Sequence, residues 1–437
     1  MRKTIIFCFI CLIINLLGAQ DSNYVREIIR QLSSDEMYGR GYAYHGDSIA
    51  AEFLVRELEK IGAQPIGEQY KQPYKFNAFA MEGKVTLRVD GKLKSPLTDY
   101  SIAPTALEAH GKFEVLKADP KILYDTTALK KFQEKNRPIL SQVFVYIDVT
   151  NVKCTDEERK ALNQMIQRLN FASPIESRGL LVRTEQLPSW TWVACEYERE
   201  YTLVHLDAKA VAKCPKTIDI DFSNRPHLHN TQNVCAMIKG AVSPDTFIVF
   251  TAHYDHLGCM GSEVVFHGAH DNASGVGTVL DLLRYYKANP LKYSVAGLFF
   301  SGEEAGLKGS SYNVEHTLFP LEKTMLFINL DLMCGGDDGI TVVNANSEGT
   351  RPFFDTMVEI NKQEKFIKEV KPRDNAANSD HFYFSRRCPA IFIYTMGGRI
   401  GGYHHWSDTC ENCSLENYKN LATLLIKAVE KMYLDKE

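Results

Sequence analysis

The second half of the chain repeats one arrangement: a short apolar run, with an imidazole or a carboxylate directly after it or in the loop that follows. Residues 246–252, 295–301, 325–330 and 390–394 form four such runs, each too short for a buried helix. Residues 275–286, between the first two, keep helical spacing instead. Strands alternating with helices predict an α/β domain, with a mixed, mostly parallel sheet covered by helices on both faces. In such folds ligands gather beyond the strand ends, and this sequence puts its polar residues there.

Five segments carry them: Ala252-His253-Tyr254-Asp255-His256, His270-Asp271-Asn272-Ala273-Ser274-Gly275, Ser301-Gly302-Glu303-Glu304, Asn329-Leu330-Asp331 and Tyr403-His404-His405-Trp406-Ser407-Asp408-Thr409. Imidazoles and carboxylates are what zinc accepts where thiolates are not supplied. Five protein ligands are more than one catalytic zinc uses while keeping a position open. They suit two ions about 3.5–4 Å apart that share a carboxylate and a water. If the strand continues through Glu303 and Glu304, the two side chains alternate in direction. One then binds metal while its neighbour faces the water as the base that moves its proton. Asp255, two residues past His253, is placed to bond its imidazole and fix the tautomer, and Asp408 is placed to steady the last loop.

Each piece alone has an ordinary explanation. A single histidine after a strand is usually a satisfied surface or core residue. Glu303-Glu304 would pass for a solvated edge, and Asp271-Asn272 for a helix cap. Five such groups in one half of the chain, all beyond apolar runs, are not explained that way.

Together these residues resemble the dizinc exopeptidases that include aminopeptidase Y, glutamate carboxypeptidase II and bacterial secreted leucine-type aminopeptidases. The resemblance also draws on Asn233-Val234, Leu257-Gly258, Ala305-Gly306-Leu307-Lys308-Gly309-Ser310, Ser379-Asp380-His381 and Tyr38-Gly39-Arg40-Gly41. It implies the zinc exopeptidase fold over residues 20–73 and 225–437. It implies Asp271 as the bridging carboxylate, His253 and Asp331 on one zinc, Glu304 and His404 on the other, and Glu303 as general base. His404 rather than His405 is implied because the family's ligand stands four residues before the Asp of Asp-Thr, here Asp408. The second histidine and Trp406 depart from the family pattern, so a differently shaped closing loop is expected. No tyrosine for oxyanion stabilisation is identifiable.

Residues 74–224 read differently, as short β-rich pieces with one helical segment near 156–169 and none of the clustered ligands. They are expected to form an inserted accessory domain, and they loosely resemble the protease-associated domain of some relatives. Ahead of them, Asp47 is expected to cap a helix with apolar positions Ile49, Ala50, Phe53, Leu54, Leu58 and Ile61, and Gly62 to stop it. At the start, Arg2 and Lys3, an apolar run over 5–17 and the small pair Gly18-Ala19 have a signal-peptide layout, so residues 1–19 are expected to direct export to the periplasm or medium. The competing reading of the apolar run is a retained anchor. Nine cysteines follow residue 19, an odd number that cannot all pair within one chain. Cys410 and Cys413 are expected either as a local disulfide or as two unlinked thiols. A net charge of −4 makes no electrostatic case for nucleic acid or an anionic membrane.

The expected activity is hydrolysis of the N-terminal bond of peptide substrates. A site rich in Asp271, Glu303, Glu304 and Asp331 can hold an α-amine, whereas a C-terminal carboxylate needs a cationic clamp. Only Lys308, Arg386, Arg387 and Arg399 lie near the motifs in sequence. The alternatives are a carboxypeptidase or a one-zinc glutaminyl cyclase on the same fold, which His253 argues against, and a binding protein on an inactive scaffold, which predicts missing ligands.

Overall fold

The computed structural model describes residues 20–191 and 200–434. The expected signal peptide and Cys195 lie outside the described residues. The larger of the two main sheets has nine strands: β1 Gln64–Pro65, β2 Lys71–Ala80, β3 Arg225–Ile238, β4 Ser243–His253, β5 Tyr293–Phe300, β6 Thr324–Leu330, β7 Gly339–Val343, β8 Val370–Arg373 and β9 Ala390–Met396. Their order is β1-β3-β5-β4-β6-β9-β7-β8, with β2 also paired to β3. The central strands β5, β4, β6 and β9 are mutually parallel. Antiparallel β3 and β7 flank them.

The central strands are mostly apolar because both faces of the sheet are covered. Along β4, Ile248, Phe250 and Ala252 enter one core while Phe247 and Val249 enter another. The first core is closed by helices Ser22–Leu32, Gly46–Ile61, Ser274–Ala288, Arg351–Glu364 and Tyr418–Tyr433. On the opposite face Phe319, Leu321 and Phe384 pack against Phe247, Val249, Phe300 and Phe327. Because the four central strands are parallel, their C-terminal ends open on one edge, and the candidate site lies there.

The helix Gly46–Ile61 stops at Gly62, whose φ of +73° suits glycine. Asp47 does not cap it. Its buried carboxylate accepts from Thr231 Oγ1 at 2.7 Å and meets His229 Nε2 at 2.8 Å, tying the helix to β3.

A second, eight-stranded sheet draws every strand from residues 86–222. Its central strands, Ala109–Ala118, Phe144–Asp148, Gly179–Thr184 and Thr202–Asp207, are parallel. The segment has two helices of more than ten residues where the sequence reading finds one. Thr155 and Glu158 close a capping box at the start of Asp156–Arg168. The unexpected helix, Thr126–Leu140, is capped by Asp125 but fully buries only Leu140 and contains Pro138, so its apolar pattern is faint. β2 runs to Ala80 along β3, so residues 74–80 belong to the larger sheet. No helix among the described residues is long and apolar enough to cross a membrane. Cys410 and Cys413 are both free thiols.

Candidate metal centre

His253 is the last residue of β4, and Asp331 follows the last residue of β6 directly. Asp271 lies in the loop before helix Ser274–Ala288, and His404 lies in the loop after β9. Chain topology thus brings four distant segments to one edge. The Asp271 carboxylate stands at the centre. Its Oδ1 is 3.4 Å from His253 Nε2, and its Oδ2 is 3.1 Å from His404 Nε2. Asp331 Oδ1 lies 3.4 Å from His253 Nε2, and Glu304 Oε2 lies 3.3 Å from His404 Nε2. The five residues therefore divide into two sets that share one carboxylate. His405 is exposed and bonds Ser407 Oγ, well outside this group.

Asp271 does not act as the helix cap. Asn272 does, its Oδ1 accepting from the Gly275 N–H at 2.9 Å, which leaves the Asp271 side chain free for the site. The Asp408 carboxylate accepts from the backbone N–H groups of His270 and Asp271, at 2.8 and 3.0 Å. It steadies the Asp271 segment as well as its own loop.

The strand through Glu303 and Glu304 does not continue. β5 ends at Phe300, and Gly302, at φ +68°, turns the chain where an added Cβ would lie 2.8 Å from Tyr74 Oη. A turn, not strand alternation, sends the two side chains apart. Glu304 goes to His404 and His256, whereas Glu303 lies with His253 and Asp331. Asp255 holds that turn: its carboxylate accepts from the N–H groups of Glu303 and Glu304 at 3.2 and 3.3 Å and from Tyr42 Oη at 2.7 Å. The His253 Nδ1 faces the Asp255 backbone carbonyl at 3.2 Å, closer than its carboxylate at 3.7 Å. The Asp255 main chain is thus the nearer partner of the imidazole, while the side chain orders the glutamates.

Further residues, to which the sequence reading assigns no role, support the centre. His256 Nδ1 contacts Glu304 Oε1 at 3.0 Å. A relay of hydroxyls and an amide runs from Thr251 through Asn329 to Ser379, whose Oγ donates to Asp331 Oδ2 at 3.0 Å. Arg40, fully buried, donates to the carbonyls of Leu32, Tyr254, His267, Gly268 and Asp271. Its neighbour Gly41 is needed because a Cβ there would lie 2.3 Å from Gly258 Cα.

Charges in the centre hold one another. Burial alone would push Asp271 up and His404 down. Hydrogen bonds from His253 and His404 instead draw Asp271 well below the usual carboxylate range. Glu304 and Asp271 lift His404 to about 11. Glu303 moves the opposite way: burial, opposed by His253 but reinforced by Asp380, Glu304 and Asp331, pushes its carboxyl well above the usual range. Asp331 Oδ1 accepts no hydrogen bond. Buried carboxylates interleaved with imidazoles, one oxygen unsatisfied, are a donor set suited to divalent cations with a preference for nitrogen and oxygen.

A cavity of about 240 Å³ opens onto the centre, lined also by Leu332, Arg373, Asn378, Phe392, Tyr394 and Tyr403. Tyr403 stacks on His404 with ring centroids 3.9 Å apart. A larger hollow of about 800 Å³ lies beside β2 and β3, against His229 and Tyr312, and has none of the clustered carboxylates.

Comparison with known proteins gives the same picture. The family model for peptidase family M28 matches residues 233–429. Over 122 residues the chain is 31% identical to aminopeptidase NAALADL1 of Rattus norvegicus, covering 26% of this chain and 15% of that protein. Over 96 residues it is 35% identical to aminopeptidase YwaD of Bacillus subtilis, covering 22% and 20%. The matched segments thus span at most a fifth of those two relatives. Among solved structures, BSAP, a zinc aminopeptidase from Bacillus subtilis, superposes with a TM-score of 0.68 at 17% identity, covering 96% of this chain and 97% of that one. A peptidase M28 precursor from Shewanella amazonensis gives 0.68 at 16% identity, covering 97% of both chains. At those identities the likeness is one of fold. Residues 233–429, the stretch that matches the peptidase family M28 model, carry His253, Asp255, Asp271, Glu303, Glu304, Asp331 and His404.

Proposed function

We propose that this protein is an exported zinc aminopeptidase that removes the first residue of a peptide. One observation carries the reading: the two oxygens of Asp271 face two different imidazoles, so two ligand sets share one carboxylate. His253 and Asp331 would hold one ion, Glu304 and His404 the other, and Asp271 both. Zinc bound there supplies Lewis-acid polarisation of the scissile carbonyl and lowers the pKa of a water.

The chain's own groups do the rest. Glu303 lines the cavity beside His253 and Asp331, where it takes a proton from the attacking water and delivers it to the leaving amine. Asp255, holding both glutamate N–H groups, keeps base and ligand from exchanging places. The carboxylates lining the cavity hold the substrate's α-amine. The relatives bearing the name aminopeptidase, and the full set of five ligands, favour a hydrolase over a one-zinc cyclase or an inactive scaffold. Export rests on the layout of residues 1–19. The accessory unit rests on the second sheet, whose strands all fall within 74–224.

One observation favours a second reading, a carboxypeptidase. Arg373 lines the cavity, although in sequence it lies outside the motifs. A single peptide offered free, N-acetylated and C-amidated decides between them. An aminopeptidase cleaves the free and amidated forms and leaves the acetylated one. Cleavage of the acetylated form, with loss of activity on amidation, would replace this reading with the carboxypeptidase.

A further inference from the structure

Sheet register explains how Arg373 reaches the cavity. Arg373 is the last residue of β8 and sits opposite Val343 of β7, which in turn sits opposite Phe392 of β9. Tyr394, two residues beyond Phe392, projects from the same face of β9. Asp331 takes its place beside these residues because its N–H bonds the carbonyl of Ile393. The strand ends thus build one wall that runs from the metal centre through Phe392 and Tyr394 to Arg373, and all of them line the same cavity.

Arg373 is exposed and makes no ion pair among the described residues. Its one side-chain hydrogen bond among the described residues runs from Nη1 to Tyr394 Oη at 3.4 Å. The guanidinium has five N–H donors, so most of its fork is open. It is also the one cation on the cavity wall that is not a proposed zinc ligand. The other charged groups there are Asp271, Glu303 and Asp331, with Glu304 behind them. Arg373 therefore stands with Tyr394 at the far end of a wall to which Leu332, Phe392 and Asn378 contribute no charge.

We propose that Arg373, with the Tyr394 hydroxyl, forms a subsite for a substrate carboxylate, and that this carboxylate is the side chain of an acidic first residue. The inference rests on the peptidase reading above. A planar guanidinium meets a carboxylate with two parallel hydrogen bonds, and Tyr394 can donate a third. Phe392 and Leu332 pack the methylene stem of the residue, and the α-amine stays with the carboxylates beside the metals.

The test uses zinc-loaded full-length protein and C-amidated dipeptides that begin with Glu, Gln, Asp, Asn or Leu. Wild type should cleave the Glu peptide with kcat/KM about tenfold or more above the Gln peptide, the difference lying in KM. In Arg373→Gln the Glu-to-Gln ratio should fall to near one, and Arg373→Lys should give an intermediate ratio. Calorimetric titration with free L-glutamate and L-glutamine reads the subsite without turnover, and Arg373→Gln should lose about tenfold for glutamate alone. A wild type that cleaves neutral peptides without preferring acidic ones would overturn the subsite and leave the peptidase reading standing. So would an Arg373-dependent preference for free over amidated C-termini on the Leu peptide. Glutamate binding through Arg373 with no cleavage of any peptide would keep the subsite and remove the peptidase reading.

Discussion

At the scale of single residues, the centre divides adjacent glutamates between two jobs. Glu304 meets two imidazoles, while Glu303 lies with His253 and Asp331 and has its carboxyl raised by burial. Glu303→Gln keeps size and hydrogen bonding but cannot take a proton. It should retain bound zinc and lose about 10²–10⁴-fold in kcat. Glu304→Gln should instead lose zinc, read as metal per chain after dialysis, and swapped phenotypes would reverse the assignment. His253 and Asp331 could be read from the sequence because each stands at the end of an apolar run, and Asp271 and His404 because they lie in the loops between such segments. The opposed directions of Glu303 and Glu304 come from the turn at Gly302 and not from strand alternation, since the strand stops at Phe300. His256, Ser379 and Arg373 gave no readable signal of a role. Their partners lie 48, 48 and 21 residues away in sequence, and only folding brings them together.

At the scale of elements, loops carry the chemistry and strands fix where loops begin. The four apolar runs of the second half appear as strands close to their expected limits, because a strand buried on both faces leaves an unbroken apolar record. Helix Thr126–Leu140 leaves no such record, since Leu140 is its one fully buried residue. Joining the loops falls to Arg40. Burial lowers its pKa to about 10, against the pull of Asp408 and Asp271, so it stays charged at neutral pH. Its guanidinium satisfies five carbonyls from three segments. Arg40→Met would leave them unpaired in a buried space and should cost about 3–5 kcal/mol of stability. Denaturant unfolding of the metal-free protein checks this, and a loss under about 1 kcal/mol would show that water replaces the side chain.

At the scale of the whole molecule, the two sheets are not independent. Leu257, Met260 and Phe266, from the loop after β4, are packed in the core of the second sheet. Trp190 stacks on Phe266 at 4.6 Å and bonds its Nε1–H to the Ile102 carbonyl. The backbone N–H of Trp190 donates to the His404 carbonyl at 3.4 Å. The segment inserted between β2 and β3 therefore touches the loop that supplies a proposed zinc ligand. No sequence pattern announces that contact, because it joins residues from separate runs of chain with no shared period. All of this architecture serves one claim, that five ligands with a shared carboxylate hold two zinc ions. The direct measurement is zinc per chain in purified protein dialysed against trace zinc, followed together with activity. Activity should rise to its maximum as the content approaches two per chain, and a plateau at one zinc in fully active protein would contradict the account.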